Sequence, residues 1–101
     1  MKMLDPAALD CLAALVDEGS FERAAHRLAI TQSAVSQRLR ALEVQIGQPL
    51  VVRSRPLRLT GPGQVLLRYA RQLQALRSDI ARDLGEHIDI EARIPIAVNA
   101  D

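Results

Sequence analysis

Trp is absent from this sequence, Phe and Tyr occur once each, and there is a single cysteine. With so few aromatic rings, Leu, Ile, Val and Ala must build the core, which favours helices packed through aliphatic ridges over an aromatic-rich sandwich. One thiol, Cys11, excludes an internal disulfide, and the widely separated His26 and His87 cannot complete a zinc site with it. No apolar run nears the roughly 20 residues that cross a bilayer, and Asp5 and Pro6 intervene before a signal-peptide apolar stretch can form. The chain therefore reads as cytoplasmic, with no membrane partner. Also missing are a nucleophile, base and orienter set, a glycine-rich phosphate loop and a cluster of metal ligands, so no enzyme, cofactor or metal site is expected.

What is present suits one small helical domain: 101 residues, 49% apolar and 25% charged. The net charge of +1 hides an uneven distribution. Between Ser20 and Thr60 stand seven arginines (positions 23, 27, 38, 40, 53, 55 and 58) against Glu22 and Glu43, a local charge of +5, while the flanks carry the remaining acidic excess. A basic middle between acidic ends is the asymmetry of a chain that offers one surface to a phosphate backbone; a solvated charged face is the alternative.

Apolar spacing and capping residues divide the chain. Asp5 and Pro6 open a first helix with Leu9, Leu12, Ala13 and Val16 on one face, ended by Gly19. Ser20 caps a short second helix that presents Phe21, Ala24, Ala25 and Leu28. Thr31 caps a third, in which Val35, Leu39, Leu42 and Ile46 recur until Gly47 stops it. Two β-prone pieces, 50–53 and 57–59, then form a small hairpin around Ser54, Arg55 and Pro56. The fold class is mostly α: a winged helix-turn-helix of three helices and a short β-wing over residues 1–60, followed by a long helix over 61–90.

In the long helix Leu66, Tyr69, Leu73, Leu76, Ile80 and Leu84 form an a/d seam. A helix of about 25 residues is roughly 37 Å long, more than three short helices can cover, so much of the stripe calls for a second chain and the six residues are the expected dimerisation contact. Residues 91–101 read as a hinge and, in the alternation of Ile94, Ile96 and Val98, as the first strand of a further domain.

The run SFERAAHRLAITQSAVSQRLRALEVQIGQPL, followed by VVRSR and LTGPG, resembles the DNA-binding domain of LysR-type transcriptional regulators, and with the linker helix the resemblance covers the whole chain. Gly19 to Glu22, ITQSAVSQR and the terminal AVNAD look most like the ArgP/LysG type, which regulates basic amino-acid export in response to lysine and arginine. The resemblance implies a dimer on a palindromic operator, tetrameric in a full-length protein, with the amino-acid effector bound by a domain downstream of the linker helix. Three departures stand out: Val51 replaces the usual aromatic after Pro49-Leu50, the wing is shorter than in many relatives, and Gln37 stands where many relatives carry Arg.

At 100° per residue, Ser33, Ser36, Gln37 and Arg40 fall opposite the apolar stripe of the third helix, with Gln32 at the rim. Gln matches adenine N6 and N7, Ser several base edges, and Arg either guanine or phosphate. Thr31, a helix cap, can share its neighbouring N–H groups with a phosphate. Arg53 and Arg55 flank the wing's turn, within reach of a narrow minor groove. Arg38 lies beside the apolar stripe, where a phosphate contact and an intramolecular ion pair are both open. Cys11 reads as a small packing residue off the main stripe with no basic neighbour, His26 as solvated, and Glu43 as the partner of a nearby Arg. Double-stranded DNA is thus the expected partner; a winged-helix protein assembly module, with the long helix as working surface, is the alternative.

Overall fold

Local chemistry sets the first three helices of the computed structural model, which describes residues 3–91. Helix α1 (Pro6–Glu18) starts where the Asp5 carboxylate accepts from the Ala7 N–H at 3.0 Å and stops where Gly19 turns left-handed. Helix α2 (Phe21–Leu28) starts with Ser20 Oγ accepting from the Arg23 N–H at 3.1 Å, and helix α3 (Gln32–Ile46) with Thr31 Oγ1 accepting from Ala34 N–H at 3.0 Å. Each cap satisfies an N–H that the helix cannot pair internally. The turn between α2 and α3 is made by Ala29, a non-glycine residue in the left-handed region at φ 58°, ψ 41°.

The wing is smaller than its β-prone residues suggest. Strands β1 (Val51–Val52) and β2 (Arg58–Leu59) pair antiparallel, Val51 opposite Leu59 and Val52 opposite Arg58. Between them the chain folds on itself: the Ser54 N–H donates to the Val52 carbonyl at 2.9 Å, Ser54 Oγ donates to the Pro56 carbonyl at 2.9 Å, and the Arg55–Pro56 peptide is cis. These local bonds take residues 53–57 out of the ladder.

Thr60 joins wing and long helix. Its hydroxyl donates to the Pro49 carbonyl at 2.7 Å and accepts from the Gly63 N–H at 3.1 Å, while its own N–H donates to the Leu50 carbonyl at 3.0 Å. Helix α4 (Gly61–Glu91, 31 residues) leaves from this point. Its first turn lies so close to β1 that a Cβ on Gly63 would overlap the Leu50 carbonyl oxygen and lie 3.0 Å from the carbonyl carbon. At 1.5 Å per residue α4 is about 46 Å long, which accounts for most of the molecule's 53 Å extent. The expected strand at Ile94 to Val98, and the hinge before it from residue 92 on, lie outside the described residues.

Helix α1 occupies the centre, packed against α2, α3 and α4. One apolar stripe cannot serve three neighbours, so burial extends to Ala8, Leu9, Cys11, Leu12, Ala13, Ala14 and Leu15, leaving Val16 at the edge. Cys11 is therefore fully buried in the core, not beside it. Leu12, Leu15, Leu39, Leu42 and Leu50 are the largest side chains sealed from water, each contributing about 1.5–3 kcal/mol of transfer free energy. From α4, Leu66 and Ala70 complete the core, with Leu73 half-buried against it.

Candidate nucleic-acid interface

Helices α2 and α3 pack on each other and on α1, and the caps on either side of Ile30 fix their relative direction. Because Val35, Leu39 and Leu42 point into the core, the helical period turns Gln32, Ser33, Gln37 and Arg40 outward, all exposed, with Ser36 half-buried among them. None of these five side chains makes a hydrogen bond or ion pair to another described residue. Thr31 is exposed and its hydroxyl is engaged in the cap.

Arg38 makes no ion pair among the described residues. Its positive charge is nevertheless felt by the Cys11 thiol, so that thiol does have a basic neighbour; burial pushes the thiol up, with Arg38 only partly opposing the effect. Arg38 and Gln37 also line a shallow groove whose far wall is Asp5, the cap of α1, and Ala8 within it.

The seven arginines of the basic middle divide into two sets. Arg27 is held by Asp17 at 2.9 Å and Glu18 at 3.5 Å, and Arg23 lies 3.8 Å from Glu18, so acidic residues at the end of α1 neutralise α2. Arg38, Arg40, Arg53, Arg55 and Arg58 have no acidic partner among the described residues, and all five are exposed. The uncompensated charge therefore lies on α3 and the wing, a narrower zone than the sequence count implied.

Arg53 has a partner the sequence did not reveal. Its guanidinium lies 4.7 Å from the centroid of the Phe21 ring, a cation–π contact that ties the wing to the first residue of α2. Arg55 is exposed at the wing's tip beside Pro56, and Arg58 extends the basic set along β2. Glu43 corrects another expectation. Instead of meeting an arginine, its carboxylate accepts from the Leu50 N–H at 2.9 Å and so fixes the backbone where α3 gives way to β1.

The seam on α4 is split in the same way. Leu66 is committed to the chain's own core and Leu73 packs against it, whereas Tyr69, Leu76, Ile80 and Leu84 are each about half exposed, together with Val65. Arg68 lies over the Tyr69 ring at 5.3 Å. No helix among the described residues is long and apolar enough to cross a membrane.

Comparison with known proteins places this geometry. LysG of Mycobacterium tuberculosis is 50% identical over 99 residues, covering 97% of this chain and 33% of the relative. ArgP of Aeromonas salmonicida is 47% identical over 102 residues, covering all of this chain and 34% of the relative. Full-length LysG of Corynebacterium glutamicum, solved with bound effector Arg, superposes with a TM-score of 0.79 at 41% identity, over 91% of this chain and 31% of that one. The DNA-binding domain of BenM, solved in complex with benA site 1 DNA, superposes with a TM-score of 0.72 at 31% identity, over 84% of this chain and 96% of that domain. The chain thus spans about a third of the length of the curated relatives it matches. Residues 6–64, from the start of α1 to the first turn of α4, match the family described as "Bacterial regulatory helix-turn-helix protein, lysR family", and to that family the chain belongs.

Proposed function

We propose that this chain is the sequence-specific DNA-binding unit of a transcriptional regulator, acting in the cytoplasm as a homodimer joined through α4 on a palindromic operator. The observation that carries the reading is the outward face of α3: Gln32, Ser33, Ser36, Gln37 and Arg40 lie together without intrachain partners, on a fold that superposes on a domain solved with DNA. Polar side chains free of internal bonds are available to base edges. Arg38, Arg53 and Arg55, with Thr31 at the head of α3, supply the phosphate and minor-groove contacts. Two copies related by a two-fold axis place two such faces on two half-sites.

Tyr69, Leu76, Ile80 and Leu84 form the dimer contact, since four large apolar side chains half open to water along one helix are a surface that gains by association. Leu66 and Leu73 support that surface from inside the chain. The similarity to LysG and ArgP supports control of basic amino-acid export or metabolism, with lysine or arginine sensed by the rest of the protein and tetramers formed at full length.

The test begins with selection of a preferred duplex from random DNA by the purified chain. Alanine at Gln32, Ser36 or Gln37 is expected to weaken binding to the selected duplex by about 1–3 kcal/mol per lost bidentate contact and to leave a scrambled duplex nearly unaffected. Alanine at Arg53 or Arg55 is expected to weaken both duplexes and to reduce the salt dependence by about one counterion per phosphate contact in each subunit. Equal losses on both duplexes for the Gln and Ser variants would show that α3 holds phosphate and does not read bases.

A further inference from the structure

The contact between α1 and α4 is built unlike the rest of the core. Apolar anchoring of α4 ends at Leu73, and past it the side chains of the described helix are largely exposed. Two forked ion pairs bracket that point. Arg71 donates to Asp17 through both Nη atoms, at 2.7 and 3.0 Å, and Arg77 donates to both carboxylate oxygens of Asp10 in the same way. Asp17 also accepts from Arg27 of α2, so one carboxylate joins the α1 end, the helix-turn-helix and the long helix. Asp10 and Asp17 are two turns apart on α1, about 10 Å.

Two tethers at different heights fix an angle, where one would fix only a distance. The space into which α4 could tilt is open: a groove lined by Asp10, Ala14, Arg27, Leu28, Gln74 and Arg77 runs between α1, α2 and α4. Bidentate Arg–carboxylate pairs resist such a tilt because planar forks are directional in a way that apolar contacts are not.

We propose that Asp17 and Asp10, through Arg71 and Arg77, are specificity-determining positioning residues that set the distance between the two half-sites a dimer reads. The proposal rests on the dimer reading above. If α4 is the shared axis of the dimer, its angle to α1 fixes where each α3 lies. The molecule is 28 Å across its second axis. With a lever arm of about 20 Å, a tilt of about 10° moves α3 by roughly 3.5 Å, one base-pair step along a strand. Loss of the tethers therefore changes which spacing is tolerated before it changes what a single half-site offers.

The experiment uses the 101-residue chain, duplexes with two selected half-sites whose separation varies one base pair at a time, and a duplex with one half-site. The parent chain is expected to favour one spacing by about tenfold over its neighbours. Asp17→Asn and Arg71→Gln should reduce that ratio to about twofold, with single half-site affinity held within about twofold. Arg71→Lys, which keeps the charge and loses the fork, should behave like Arg71→Gln. A variant that also loses the single half-site has lost its fold, and Arg77→Gln, whose partner Asp10 is not shared with α2 as Asp17 is, then takes its place in the comparison. An unchanged spacing ratio, or a parallel loss at every spacing with the single half-site intact, overturns the inference. A parent chain with no spacing preference overturns the dimer reading itself.

Discussion

Gly63 and Gly85 both lie in α4, and the same substitution at each should have opposite signs. At Gly63 an added Cβ would overlap the Leu50 carbonyl oxygen. Leu50 is poorly placed to yield, because its carbonyl accepts from the Thr60 N–H at 3.0 Å and its N–H donates to Glu43 at 2.9 Å. Moving it breaks one or both bonds, so the cost belongs near the upper end of overpacking, about 3 kcal/mol. Replacing Gly by Ala in a helix returns at most about 1 kcal/mol, and less in a first turn. The steric term wins, and Gly63→Ala should lose about 2 kcal/mol, or roughly 8–16 °C in Tm for a domain of this size. At Gly85 no atom lies within 4 Å of the added Cβ, so only propensity acts and Gly85→Ala should gain about 0.5–1 kcal/mol. Thermal and urea melts at one fixed protein concentration measure both, since association would otherwise shift Tm. A Gly63→Ala variant as stable as the parent would refute the close approach of α4 to β1.

Three further outcomes follow from particular residues. Ala29→Gly should raise stability by about 0.5–1 kcal/mol in a urea melt, because the left-handed backbone at φ 58° costs Ala more than the extra chain entropy costs Gly. Hydrogen bonding from Arg71, helped by Arg27, holds the Asp17 carboxyl below the ordinary carboxylate range. Its stabilisation is thus present above the unfolded-state pKa of about 3.9 and lost as pH falls through the lower folded value, so parent and Asp17→Asn should differ by about 0.5–1 kcal/mol at pH 7, after discounting for solvent screening, and converge in acid melts. Leu76→Asp should give monomers by sedimentation with little change in helix content, because Leu76 is 55% exposed in the single chain; a dimeric variant would remove α4 from the interface.

The parts of the fold legible in the sequence are those with local causes. Asp5, Ser20 and Thr31 cap helices with N–H groups two or three residues away, and Gly19 and Gly47 end helices by their own backbone freedom, so a reader of the chain sees each. The outward face of α3 followed from helical period alone. What stayed hidden depends on residues distant in sequence. Burial of Leu15 and Cys11 needs three helices around α1; Arg53 meets Phe21 across 32 positions; and Asp17 meets Arg71 across 54. Glu43 departs from its expected arginine partner because a nearby arginine is visible in a sequence and a backbone N–H at the start of a strand is not. A heptad pattern likewise cannot say which of its residues the chain's own core takes up, and the structure buries Leu66 while leaving Leu76 55% exposed.

The central place of α1 also bears on how the domain opens. The run from Cys11 to Leu15 in the middle of α1 is sealed from water among three other helices, so its amides should exchange with solvent only through global unfolding. The described turns of α4 beyond Leu73 lack that enclosure and should exchange by local fraying in the isolated subunit, then slow sharply when a second copy covers them. Deuterium uptake would thus divide the chain into an innermost helix that reports the stability of the whole and an outer arm that reports association.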